Sequence, residues 1–221
     1  MIKAVLFDLD GTIIDNEKFT IISKVIEGKK IGYDISEETA KRTLGMSTKN
    51  SKALFQSIYG EDFPYEYFRQ KRFEYIVNDV KENGLKLKEG VNEIISFCHK
   101  FNIKMAICTS STMKYINAYK EHSNLFDNFD YIVTGEDIKN GKPNPEIFQR
   151  AIDHFGIENQ EALIVEDSIN GIKAGINAKT HVIMVPDLVE PTEEIKNFNI
   201  KILKSLINVI EYIQEVNTKG E

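Results

Sequence analysis

From residue 85 onward the hydrophobic positions alternate between two rhythms. Short, mostly apolar runs occur at Ile103–Cys108, Tyr131–Val133, Ala162–Val165 and His181–Val185, as expected of strands buried on both faces. Between them apolar residues recur at helical spacing: Val91, Ile94, Ile95 and Cys98, then Phe148, Ala151, Ile152 and Phe155, then Leu206, Val209, Ile210 and Ile213. Asn144-Pro145-Glu146 marks a helix start, combining a capping side chain, a ring that needs no N–H partner and an acid near the positive dipole end. With the N-terminal run Ile2–Phe7 the pattern predicts five strands in βαβ succession, hence an α/β, doubly wound Rossmann-like parallel sheet.

Residues 16–85 carry no convincing strand. Phe19, Ile22 and Ile26 predict one helix, Ser36 caps a second, Leu54, Phe55, Ile58 and Tyr59 mark a third, and the aromatic segment Phe63–Tyr75 a fourth. A helical block between the first two strands reads as an inserted α-helical cap domain. The expected division is a catalytic core of residues 1–15 and 86–221 and a cap of 16–85, with hinges near residue 16 and Asn83-Gly84. Asn217–Glu221 reads as a frayed tail.

Composition narrows the classes of function. The 221 residues are 42% hydrophobic and 28% charged, and no apolar stretch approaches a membrane span, so no membrane partner and a cytoplasmic location are expected. The net charge of −6, with acids and bases interspersed, argues against nucleic acid. Cys98 and Cys108 lack metal-type spacing and are expected to be reduced packing residues. A monomer is the default, and an anionic small molecule would need a local positive pocket.

Four polar clusters follow four predicted strands: Asp8 and Asp10; Thr109-Ser110-Ser111; Gly141-Lys142-Pro143; and Glu166-Asp167. Singly each has an ordinary reading as a turn, a helix cap or an acid serving a helix dipole. Parallel strands, however, put all four on one edge of the sheet, where open α/β proteins bind ligands. Two close carboxylates require a cation or a shared proton. Together the clusters suit phosphoryl transfer: a carboxylate nucleophile, oxygen ligands from Asp8, Asp10 and Asp167 for Mg2+, and Lys142 with Thr109 to meet the charge on the phosphoryl oxygens.

Other motifs fail on their chemistry. The stretch from Gly135 to Gly141-Lys142 has five rather than four residues between its glycines and Pro143 where a phosphate loop carries Ser or Thr. Cys108 is followed by Lys114, which lacks an arginine's bidentate fork. His99, His122, His154 and His181 form no ligand pair.

Asp8-Leu-Asp10-Gly11-Thr12, Cys108-Thr109-Ser110-Ser111, Gly141-Lys142-Pro143 and Glu166-Asp167-Ser168 resemble, in order, the four motifs of the haloacid dehalogenase-like superfamily. They are most similar to the helical-cap subgroup that contains phosphoglycolate phosphatase-like and β-phosphoglucomutase-like enzymes. That resemblance implies Asp8 as nucleophile and metal ligand, with Asp10 as a metal ligand through its carbonyl and a general acid/base through its side chain. It implies Thr109 and Ser110 as phosphoryl contacts and Lys142 as the link between phosphoryl group and Asp8. Asp167, supported by Glu166, would complete the Mg2+ site, and both are counted among its expected ligands.

A dehalogenase of this group does not rely on a second aspartate, so Asp10 directs the expectation to phosphate chemistry. A phosphomutase of the subgroup carries a histidine and an arginine where this chain has Thr20 and Thr48, so hydrolysis of a small phosphomonoester, a sugar phosphate or phosphoglycolate-like compound, is favoured. A β-phosphoglucomutase-like enzyme and a non-enzymic phosphometabolite-binding protein are the alternatives. Asn16 and, from the cap, Gly45, Lys49 and Lys71 are candidate substrate contacts. Lys52 and Arg72 are further cap cations, and Glu17 is a candidate for leaving-group hydroxyls.

Overall fold

The computed structural model describes residues 1–198 and 200–219. Its centre is β1 (Ala4–Phe7), flanked by β2 (Lys104–Cys108) on one side and β4 (Ala162–Glu166) on the other. β3 (Tyr131–Val133), β5 (His181–Met184) and β6 (Lys201–Ile202) complete a parallel sheet in the order β3-β2-β1-β4-β5-β6. The chain winds outward from β1 and then returns beside it, so the switch point lies between β1 and β4. The sixth strand goes beyond the five expected: Lys201–Ile202 is two residues long and exposed, so it carries no apolar run to read.

Alternation along β1 supplies both cores. Val5 and Phe7 pack with Ile94, Ile95 and Cys98 of α5 (Val91–Lys100) and with Leu206, Val209 and Ile213 of α10 (Leu206–Lys219). On this side α6 (Met113–Lys120) adds Ile116 and Tyr119. Ala4 and Leu6 pack on the other face with Ile147, Phe148, Ala151 and Ile152 of α7 (Glu146–Phe155) and Ala174 of α8 (Ile169–Asn177). Burying one such large side chain contributes about 1.5–3 kcal/mol, which makes β1 a rigid mount for the acidic turn at its carboxyl end. The chain is not frayed at Asn217–Thr218, because α10 includes them and the Ile2 N–H donates to Asn217 Oδ1 at 2.6 Å. Residues 220 and 221 of the expected tail lie outside the described residues.

Between β1 and β2 lie α1 (Glu17–Lys30), α2 (Glu37–Lys41), α3 (Thr48–Tyr59) and α4 (Tyr65–Asn83). Ser36 caps α2 through its hydroxyl, and Gly84 ends α4 with φ +75°. This helical insert has a separate core in which Phe55, Phe63, Tyr65 and Phe68 meet Ile21 and Ile35. Its entry and exit run side by side: Asp15 N–H donates to Lys86 O at 3.0 Å, and Lys88 N–H to Ile13 O at 2.9 Å. α9 (Glu193–Lys196), capped by Thr192, covers the far end of the sheet. Cys98 and Cys108 are buried free thiols, and burial pushes Cys98 up to about 12. Among the described residues no helix is long and apolar enough to cross a membrane.

The buried face of α1 differs from the expected Phe19-Ile22-Ile26 line. Glu17, Ile21, Lys24 and Gly28 point inward, while Ile22 is exposed. This face borders a cleft, so the period is helical but its members include charged groups.

Candidate active site

The carboxyl edges of β1, β2 and β4 converge with the loop that carries Lys142. Lys142 is 2% exposed; its ammonium donates to Asp8 Oδ1, to Glu166 Oε1 at 2.6 Å and to Cys108 O at 3.0 Å. One lysine thus uses its three protons on three strand ends. Burial disfavours its charge, but Asp8 and Glu166 outweigh that effect and hold the ammonium above the usual lysine range. Asp8 itself is pushed up to about 8, first by burial and then by the neighbouring Glu166 and Asp10, against the pull of Lys142.

Glu166 has no oxygen left over. Oε2 accepts from Asp167 N–H, Ser168 N–H and Ser168 Oγ at 2.9 to 3.1 Å, and Oε1 holds Lys142. Gly171 belongs to this arrangement, since a Cβ there would lie 1.7 Å from Glu166 Oε1. In this geometry Glu166 positions Lys142 and the turn after β4 rather than facing a metal, which revises its expected place among the ligands.

Asp10 is held from two elements. Asn16 Nδ2 donates to Oδ1 at 2.6 Å and Ser111 Oγ to Oδ2 at 2.7 Å. Thr109 is 1% exposed and its Oγ1 accepts from Ser111 N–H at 3.0 Å, which ties the turn after β2 to the same point. That turn runs through Thr112, and α6 begins at Met113. Ser110 borders the cleft beside Thr109.

Asp167 is the group that asks for a cation. Thr12 Oγ1 donates to its Oδ1 at 3.1 Å, whereas buried Oδ2 has no N–H or hydroxyl donor and the Glu17 carboxyl lies beside Asp167 within hydrogen-bonding reach. Gly11, with φ +87°, runs so close that a Cβ would lie 2.4 Å from that oxygen. Burial, Glu166, Glu17 and Asp8 together push Asp167 well above the carboxylate range. Glu17 is raised to about 7 by burial and by Asp187. Such a concentration of buried acid fits a hard divalent cation. Among the described residues no three acidic, histidine or cysteine side chains surround one point, so the protein's carboxylates would be supplemented by main-chain oxygen and water, as Mg2+ tolerates.

The insert roofs this edge. Its α2–α3 loop sits on the core at two glycines: a Cβ on Gly45 would lie 2.7 Å from Ser168 Cβ, and one on Gly141 3.1 Å from Ser47 Cβ. The enclosed cleft is bordered by Asp8, Asp10, Asn16 and Thr109 below and by Thr20, Gly45, Thr48 and Tyr65 above. Two expected cap contacts are not gathered there. Lys49 is exposed and outside the cleft, and Lys71 pairs outside with Glu74 at 2.8 Å. The stripe Tyr65-Phe68-Arg72-Ile76 forms the buried face of α4, so Arg72 turns inward and its neighbour Lys71 turns out. Lys24 and Arg69 border the cleft as well. Their signal in the sequence is helical: Lys24 falls seven residues after Glu17, and Arg69 four residues after Tyr65.

A doubly wound sheet with an acid-rich carboxyl edge and a helical roof defines a class of hydrolase, and the chain belongs to the haloacid dehalogenase-like hydrolase family, whose model matches residues 5–185. Among its relatives, (DL)-glycerol-3-phosphatase 2 of Arabidopsis thaliana is 30% identical over 199 residues, 84% of this chain and 80% of that protein. A phosphorylated carbohydrates phosphatase of Thermotoga maritima is 27% identical over 176 residues, 80% of this chain and 81% of that one. The fold is similar to the crystal structure of β-phosphoglucomutase from Clostridium difficile, with TM-score 0.83, 24% identity and 100% and 99% of the two chains covered.

Proposed function

We propose that this protein is a Mg2+-dependent phosphatase that hydrolyses a small phosphomonoester through an aspartyl phosphate on Asp8. The observation that carries this reading is the pairing of Asp8, fixed by buried Lys142, with Asp10, fixed separately by Asn16 and Ser111. The family and the phosphatase relatives support it. Asp8, the main-chain carbonyl of Asp10 and Asp167 would hold the ion, which when bound offsets charge on the phosphoryl oxygens.

With Oδ1 of Asp8 engaged by Lys142, the other oxygen attacks phosphorus and the ester P–O bond breaks. Asp10 gives its proton to the departing alkoxide. It then takes a proton from water, whose oxygen attacks phosphorus, breaks the bond to Asp8 and releases inorganic phosphate. Lys142 and the Thr109 hydroxyl meet the charge on the transferring group. Residues 16–85 act as the cap that excludes bulk water, with the hydrogen-bonded segments 13–15 and 86–88 as its stalk.

A mutase must grip a second phosphate and return the first to it. Thr20 and Thr48 border the cleft at the positions where the subgroup's mutases carry a histidine and an arginine, which favours water as the acceptor. The test is phosphate release from 4-nitrophenyl phosphate with Mg2+, native against Asp8→Asn. We expect a loss of at least ~1000-fold, as for removal of a nucleophile. Equal turnover by the two proteins would sink the reading. With β-glucose 1-phosphate the expected product is inorganic phosphate, and glucose 6-phosphate would favour the mutase.

A further inference from the structure

The cleft is electrically divided. Its lower end holds Asp8, Asp10 and Asp167, while its upper end holds Lys24 from α1 and Arg72 from α4. Lys24 is 3% exposed and Arg72 9% exposed, and among the described residues neither forms a salt bridge with a carboxylate. Three lysines on the outer side of the same insert do find acids: Lys30 pairs with Glu27, Lys52 with Glu66 and Lys71 with Glu74.

Their hydrogen bonds are also sparse. Lys24 Nζ, with three protons, donates to Ala40 O at 3.3 Å, a carbonyl that also accepts from Thr43 Oγ1 at 2.7 Å. Arg72 Nε donates to Ser23 Oγ at 3.3 Å, and its guanidinium lies 5.6 Å from the Phe68 ring centroid. The groups that face Arg72 are the phenols of Tyr65, Tyr115 and Tyr119 and, with like charge, Arg69. Burial and Arg72 both disfavour the Lys24 ammonium, while Glu17 and Asp10 favour it. Two buried cations without a carboxylate in salt-bridge contact are costly by themselves. Both occupy inward positions of their helices, where an apolar residue would have packed without that cost.

We propose that the leaving group of the substrate carries a second anionic group, phosphate or carboxylate, and that Lys24 and Arg72 hold it at the cap end of the cleft. The proposal rests on the phosphatase reading and adds to it the chemical class of substrate. It assigns recognition to a pair on α1 and α4, away from the Thr48 position and from the outward Lys49 and Lys71. Ser51, hydrogen-bonded with Tyr65, borders the same cleft and offers a further hydroxyl to it. An arriving anion supplies the charge that the fold leaves out, so binding and substrate selection come from the same two residues.

The test compares matched substrates that differ in the second charge: glycerol 3-phosphate against 3-phosphoglycerate, and glucose 6-phosphate against glucose 1,6-bisphosphate. Rates are measured with Mg2+ for native protein, Arg72→Gln, Arg72→Lys and Lys24→Met, after circular dichroism has shown that each is folded. Binding of the same four compounds to Asp8→Asn, with and without Arg72→Gln, is measured by calorimetry. The native protein is expected to prefer the charged member of at least one pair at least tenfold in kcat/KM. Arg72→Gln should lower that ratio by about 10- to 100-fold, the range for a lost hydrogen-bonded charge, and Arg72→Lys should restore part of it. Which pair responds tells phosphate from carboxylate.

Hydrolysis without preference for either charged member, or equal loss on both members in Arg72→Gln, overturns the anion site and leaves the phosphatase reading standing. Charged compounds bound tightly by Asp8→Asn and released by Arg72→Gln, with no turnover by native protein, would do the reverse. Absence of both turnover and binding removes the two together.

Discussion

The two ends of the cleft solve the problem of buried charge in opposite ways. At the sheet edge almost every charged atom has a partner inside the protein: Lys142 serves Asp8, Glu166 and a carbonyl, Glu166 is saturated, and Asp10 is held by Asn16 and Ser111. Among the described residues the exceptions are Asp167 Oδ2, at the point where a cation fits, and Asp187 Oδ2, whose other oxygen pairs with Lys88. At the cap end Lys24 and Arg72 have hydroxyls, a carbonyl and rings around them, and among the described residues no carboxylate in salt-bridge contact, although Glu17 and Asp10 act on Lys24 from farther off. The difference separates preorganisation from recognition. Groups that act on every turnover are fixed in advance, whereas groups that select a ligand are left short of the charge the ligand brings.

If the sheet edge is preorganised by its ion network, removing the central cation should be the most damaging change of all. Lys142→Met leaves Asp8 and Glu166 facing each other in a buried site, and uncompensated charge of this kind costs about 3–5 kcal/mol. The sign with pH is set by Asp8, whose carboxyl is already raised to about 8 with the lysine present. A raised carboxylate contributes stability while protonated and loses it as pH rises, so the deficit should be large above pH 8 and shrink as acid protonates Asp8. Urea unfolding of the metal-free proteins at pH 4.5 and 8.5 reads this directly. A deficit that does not change between them would mean that the lysine acts by packing on Phe148, whose ring centroid lies 5.1 Å away.

The same contrast explains what could be read from the chain. β1, β2, β4 and β5 were legible because strands buried on both faces are written as apolar runs, and Asp8, Thr109 and Asp167 each come directly after such a run. The separate roles proposed for Asp8, Asp10, Thr109 and Lys142 follow from the resemblance of the motifs; their hydrogen-bond partners, Ser111 and Glu166 among them, required the fold. The cap was harder for a physical reason. Apolar periodicity marks a buried face only when burial is apolar, and α1 turns Glu17 and Lys24 inward while leaving Ile22 exposed. On α4 a one-residue difference in angular position separates the outward Lys71 from the inward Arg72. The two-residue edge strand β6 has no apolar pattern at all.

The structural independence of the two ends can be tested through the cap's own core. Phe55 is fully buried and stacks 5.2 Å from Phe63, centroid to centroid, with Phe68 edge-on at the same distance. Phe55→Ala should cost about 3–4 kcal/mol, as for aromatic truncation in a packed core. Because Phe55 belongs to a cluster that contains no sheet residue, the loss should appear as faster amide exchange in α1, α3 and α4 while β1 and β4 stay protected. Equal loss of protection in the strands would make insert and sheet one cooperative unit.

The smallest expected effect bears most closely on the cap cations. Lys24→Met exchanges a buried ammonium for a side chain of similar length that needs no counter-charge, and such replacements stabilise by about 1–3 kcal/mol where the charge was poorly compensated. Burial holds the Lys24 ammonium well below the usual lysine range, with Arg72 adding to it. For a lowered base the penalty is complete while both folded and unfolded chains are protonated, and it fades as pH rises toward the unfolded value near 10.5. The variant's advantage should therefore be largest in neutral and acid solution and disappear above pH 10. Glu17, raised to about 7, titrates in both proteins and with the opposite slope, so the difference between them, rather than either curve, carries the result. A variant that is less stable than native at pH 7 would show that Glu17 and Asp10 already compensate Lys24, and the cap end would then be as self-sufficient as the sheet edge.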